Sequence, residues 1–143
     1  MLAILKRLTG CPRKREDGQS LVEFALIVPI FLLVLFAIVD FGMAFHAWIT
    51  VTNSAREGAR VGAVRATSPQ IEQRVRDTAE SLDQANLTVS VTNAEGAPGG
   101  SVVVDVSYDY SLMTPLADLL NMVSGGSIPA TLNLDSTADM RLE

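Results

Sequence analysis

Two carboxylates, Glu23 and Asp40, are the only ionisable groups between Leu21 and His46. They border residues 24–39 (FALIVPIFLLVLFAIV), a run with no polar side chain, and apolar character resumes over residues 41–45. A carboxylate within an apolar helix is costly, so each acid is a functional candidate by default. Glu23 has two readings. It is close enough to Gly18 to be solvated at the near interface. Alternatively, a cut after Gly18 would create an α-amino group at Gln19, about one helical turn away. That cation could neutralise Glu23 of the same chain or of a neighbour. Asp40 lies roughly 26 Å further along a helix, near the opposite boundary. It reads as an interfacial acid or as one paired with another subunit.

The remaining chemistry-bearing residues assemble no reactive site. The one histidine, His46, stands near Trp48 at the expected far boundary, where amphipathic rings act as anchors. Metal sites need clustered ligands, and the acids beyond the apolar run are spread singly over strand faces and turns. The glycines follow no strand-to-helix phosphate pattern. A net charge of −5 disfavours nucleic acid as a partner. Leu8-Thr9-Gly10-Cys11 satisfies a lipoprotein cleavage box, but Lys6 and Arg7 break the short apolar stretch before it, so Cys11 reads as an ordinary cytosolic thiol. The expectation is a protein with no enzymatic activity, metal or cofactor.

The element that must hold both acids is a membrane helix. The unbroken run alone would span about 24 Å, so one or both flanks complete the crossing of a ~30 Å hydrocarbon core. Pro29 is tolerable there. Lys6, Arg7, Arg13, Lys14 and Arg15 precede the span, whereas beyond Arg65 the only cations are Arg74, Arg76 and Arg141. Arg56, Arg60 and Arg65 are too few to outweigh the leader, so the N-terminus is expected in the cytoplasm and the acidic part outside. With Cys11 as the single cysteine, the outer part must be held by packing alone.

Residues 52–65 (TNSAREGARVGAVR) contain no proline and extend the helix to about residue 65. Ala55, Ala59 and Ala63 recur every fourth residue beside Gly58 and Gly62. This narrow strip would let another helix approach closely; a small-residue helix without a partner is the alternative. Ser68-Pro69 predicts a helix start, with Ile71, Val75, Thr78, Ala79 and Leu82 on one face and an end near Asn86. The period then changes to two: a strand over residues 87–92, a Gly/Pro loop over 94–100, and a second strand over 102–110. Thr114-Pro115 opens a short helix closed by Ser124-Gly125-Gly126, and a last strand covers residues 130–140. The fold class is α+β, a long N-terminal helix followed by a helix packed on a small antiparallel sheet. The expected divisions are a leader (1–18), the span and its extension (19–66) and an outer domain (67–143).

Gly18 followed by Gln19-Ser20-Leu21-Val22-Glu23-Phe24 resembles the prepilin-peptidase site of type IV-type pilins. That site has a basic leader, a glycine before the cut, and glutamate fifth in the mature chain. More narrowly, GQSLVEFALIVPIFLLVLFAIVDFG together with TNSAREGARVGAV resembles the TadE-like pseudopilins of the tight-adherence (Flp) pilus system. The resemblance implies processing between Gly18 and Gln19 and a registry role for Glu23 against a neighbour's new N-terminus. It also implies a place in the bacterial cytoplasmic membrane and partnership with other minor pilins and the major pilin. Major Flp pilins have tyrosine after the glutamate; Phe24 and the large outer domain point instead to a minor component. Two rivals stay open. In one, the helix is a signal peptide cut at the small-x-small site Gly42-Met43-Ala44. In the other, the chain is an uncleaved anchor whose outer domain binds a ligand or envelope partner.

Overall fold

The apolar run and the small-residue segment after it form one helix, α1 (Glu16–Ala63), which continues through Pro29. The computed structural model describes residues 16–126 and 131–143. Cys11 and the five leader cations therefore lie outside the described residues. The chain divides into two compact units, Met1–Leu35 and Phe36–Glu143. Within the first, the described part is helix alone. Leu21, Phe24, Leu26, Ile27, Ile30 and Phe31 are all exposed, and no part of its most apolar window is buried. Apolar side chains exposed along a helical window with a mean hydropathy of 2.9 suit a lipid surround rather than a protein core.

The second unit uses the rest of α1 as a core element. Asp40, Ala44, Ala47, Val51, Ala55 and Ala59 recur at helical spacing and are buried. After Arg65, which takes a positive φ of 62°, the chain turns into α2 (Ser68–Thr78). The sheet is antiparallel, in the order β1 (Leu87–Thr92), β2 (Ser101–Ser111), β3 (Thr131–Arg141). A second short helix, α3 (Leu116–Ser124), joins β2 to β3. Alternation in β2 sends Val102, Val104, Val106, Tyr108 and Tyr110 into the core. The core thus lies between one sheet face and the two helices α1 and α2, the arrangement expected for α+β.

Boundaries moved where side chains overrode the pattern. Ser68 was the expected cap, yet the cap is Thr67, whose N–H donates to Gln70 Oε1 at 3.1 Å. The α2 helix stops at Thr78 rather than near Asn86. Gln84 Nε2 donates to the carbonyls of Ala79 and Leu82 at 2.9 and 3.2 Å, satisfying acceptors that a longer helix would have paired. A single 3-10 turn at Gln84–Asn86 follows. Ala79 and Leu82 are buried all the same, so the apolar face was right and its helical period was not. At the end of α3, Gly125 adopts the left-handed conformation at φ 75°, and Gly126 N–H returns to Asn121 O.

Candidate functional site

The two acids of α1 have opposite surroundings. Glu23 is exposed, and its Oε1 accepts from Gln19 Nε2 at 3.0 Å, a contact between successive turns. The residue whose amino group a cut after Gly18 would free is thus already within one turn of the carboxylate. Gly18 is exposed, and apart from its chain neighbours and its own helix backbone no described atom lies within 4 Å of where a Cβ would stand.

Asp40 is 1% exposed. Its Oδ1 accepts from the backbone N–H of Met113 at 3.0 Å and of Thr114 at 3.2 Å, and its Oδ2 accepts from Thr114 Oγ1. Thr114 Oγ1 in turn accepts from Leu116 N–H at 3.3 Å. Asp40 therefore ties the β2–α3 junction to α1, and the group pairing it belongs to this chain. Tyr110 Oη approaches Asp40 O at 3.5 Å. Burial raises the Tyr110 pKa, and the nearby Asp40 carboxylate and Tyr108 reinforce the shift.

The small-residue strip is covered by the same chain. A Cβ on Gly58 would lie 2.5 Å from Val75 Cγ2 and 3.2 Å from Val104 Cγ1. One on Gly62 would lie 3.0 Å from both methyl groups of Val102 and 3.1 Å from Ile71 Cδ1. Ala55 and Ala59 are fully buried, and Ala63 is half-buried. Another helix does approach the strip closely, but it is α2, together with strand β2. The periodicity disclosed a close-packed face; it had no means of saying that the covering surface lay a few residues further on.

Beside the strip, Glu57 holds two arginines. Arg60 Nε and Nη2 donate at 2.9 and 2.8 Å, and Arg74 Nη2 from α2 donates at 2.7 Å. The hydrogen bonds from Arg60 and then Arg74 lower the Glu57 pKa from 4.5 to about 2. Pairing of Glu57 with Arg60 follows from spacing along one helix, whereas Arg74 joins only through the fold. On the flank of α1, Phe41, Phe45 and Trp48 form a chain of rings with centroids 6.4 and 5.7 Å apart. His46 is exposed. Among the described residues no group of His, Cys, Asp and Glu could hold a metal ion.

One long apolar helix near the N-terminus, entering a small α+β domain, fits a single-pass membrane protein. The family described as TadE-like protein matches residues 18–60 of this chain. The chain therefore carries a TadE-like region, and the match supports a protein associated with the tight-adherence pilus. The matched stretch begins at Gly18 and takes in Glu23, Asp40, Gly58 and Ala59, but stops short of α2, the sheet and α3. No curated protein and no solved structure matches the chain.

Proposed function

We propose that this chain is a TadE-like minor pilin that is processed after Gly18 by a prepilin peptidase and acts in assembly of a tight-adherence pilus. The observation that carries this reading is the family match beginning at Gly18, the residue before the proposed cut. In this picture the chain sits in the bacterial cytoplasmic membrane with residues 1–18 inside and the α+β domain outside. The apolar helix is both anchor and assembly surface, and its exposed apolar side chains are available to neighbouring subunits. Glu23 registers one subunit against the next by pairing with a neighbour's N-terminal amine; its exposure and its lack of a buried partner suit that role. The other subunits would be minor pilins and the major pilin.

The signal-peptide alternative fits the fold poorly. A cut at Gly42-Met43-Ala44 would remove Asp40 and leave the Met113 and Thr114 donors without their acceptor. It would also sever α1 within the buried stripe, where Ala44 is 9% exposed.

The first test is the mass of the N-terminal peptide of the membrane-extracted protein. A chain beginning at Gln19 supports prepilin-type processing. A chain beginning at Met1 in cells with an active prepilin peptidase favours the uncleaved anchor. The second test is Glu23→Gln, which should leave membrane insertion intact and impair pilus assembly; normal pili and adherence in that mutant would remove the registry role.

A further inference from the structure

We infer that the β2–α3 junction and α3 lie in the interfacial layer of the bilayer on the domain's side, with Met113 and Met122 at the boundary between headgroups and acyl chains. The inference rests on the membrane-anchor reading of α1. Residues 21–39 would span about 28 Å, close to the ~30 Å hydrocarbon thickness, so the hydrocarbon ends near Asp40. Residues 36–39, the last of that run, belong to the same compact unit as the sheet. Asp40 then fixes what else stands at this depth. Its carboxylate holds the Met113 N–H at 3.0 Å and the Thr114 N–H at 3.2 Å. The first turn of α3 begins two residues later.

Exposed apolar side chains stand at this end and on the helix that follows it, whereas Val64 lies past the far end of α1. Among the described residues outside α1, the exposed large hydrophobics are Val64, Met113, Met122 and Leu132. Met113 is 70% and Met122 79% exposed. Leu132 pairs in the sheet with Tyr110, whose hydroxyl reaches the Asp40 carbonyl. On α1 itself, Phe41 is 73% exposed one residue beyond Asp40. The ion pairs of this unit lie at Glu57, Arg60 and Arg74, more than four helical turns along α1 from Asp40. Apolar side chains continuous with a membrane helix are stabilised by reaching the acyl boundary, and flexible methionines adapt to it readily. Asp118 is the single ionisable residue on α3, one turn before Met122, and it keeps the helix at headgroup depth rather than deeper. With no cation on α3, the contact is apolar and needs no anionic lipid.

Site-directed spin labelling of the full chain in phosphatidylethanolamine–phosphatidylglycerol vesicles tests this. In a Cys11→Ser background, single cysteines replace Met113, Met122, Ile30 (span control) and Glu95 (exposed control). Labels at 113 and 122 should collide with oxygen more, and with an aqueous nickel chelate several-fold less, than the label at 95. The same result should hold in purely zwitterionic vesicles. Nickel accessibility at 113 and 122 equal to that at 95, with 30 still shielded, overturns the inference and leaves the anchor standing. Accessibility at 30 as well overturns both. Shielding from nickel and oxygen together, with dipolar broadening between chains, would assign the surface to a second copy and also overturn it.

Discussion

One helix passes through two environments in this chain, and its composition changes with them. Residues 21–35 carry large apolar side chains exposed on every side, whereas residues 40–62 carry a stripe of small residues buried against a sheet and a second helix. Leucine and phenylalanine suit the first region because lipid tails conform to any shape. Alanine and glycine suit the second because Val75, Val102 and Val104 come within van der Waals range of the helix backbone. The two acids obey the same division. Glu23 is exposed with one side-chain partner on its own helix, while Asp40 is enclosed and satisfied by backbone 73 and 74 residues away in sequence.

The sharpest way to break the comparison is to place the same substitution in both regions. Ala55→Leu forces a large side chain into fully buried space and should cost roughly 3 kcal/mol of domain stability. Ala25→Leu, on the exposed part, should change it by no more than about 0.5 kcal/mol. Urea unfolding of the full chain in detergent, followed by the single tryptophan, reads both. Equal effects would mean that residues 40–62 are not packed as described.

Asp40→Ala comes next. It removes the acceptor for the Met113 and Thr114 N–H groups and for the Thr114 hydroxyl. Orphaned buried donors of this kind cost about 2 kcal/mol, and Asp40→Asn, which keeps one oxygen, should lose less. Hydrogen exchange should localise the loss to residues 111–117. Glu23→Gln should leave the same unfolding curve unmoved. A smaller effect follows from the glycines. Gly58→Ala must displace Val75, at a cost that outweighs the ~1 kcal/mol gain in helix propensity. Gly62→Ala meets its neighbours half an ångström further out and should be close to neutral, which the same melts would detect.

Much of this architecture was legible, for identifiable reasons. Period-two alternation gave β1 and β2 because each strand buries one face more deeply than the other. The apolar run disclosed the helix, and the block from Gly18 to Gly42 disclosed the resemblance that the match over residues 18–60 supports, since both are local patterns. What escaped were long-range facts. Nothing near Asp40 announces Met113, and nothing near Gly58 announces that its cover is α2 and β2 rather than a neighbouring subunit. The same small-residue period serves packing within a chain and between chains. Leu132 alternates like a core residue yet is 41% exposed, because α1 and α2 cover β2 and β1 more fully than the start of β3.

The smallest expected effect concerns the ion pairs, and it separates the two regions by pH. Glu57 has its pKa lowered from 4.5 to about 2 by Arg60 and Arg74. A carboxylate with a depressed folded-state pKa binds fewer protons when folded than when unfolded. Its stabilising contribution is therefore complete above about pH 4.5 and is lost as pH falls toward about 2. The contribution should be modest, since solvent and salt screen a pair that is not enclosed. Thermal melts of the full chain between pH 5 and pH 2.5 should decline less steeply for Glu57→Gln than for the parent, and the difference should shrink in high salt. Arg74→Gln should reproduce part of that flattening, because Arg74 reaches Glu57 from α2 and so reports the contact between the helices. An acid slope unchanged in both variants would show that α1 and α2 are joined by Ile71, Val75 and the glycine strip without help from charge.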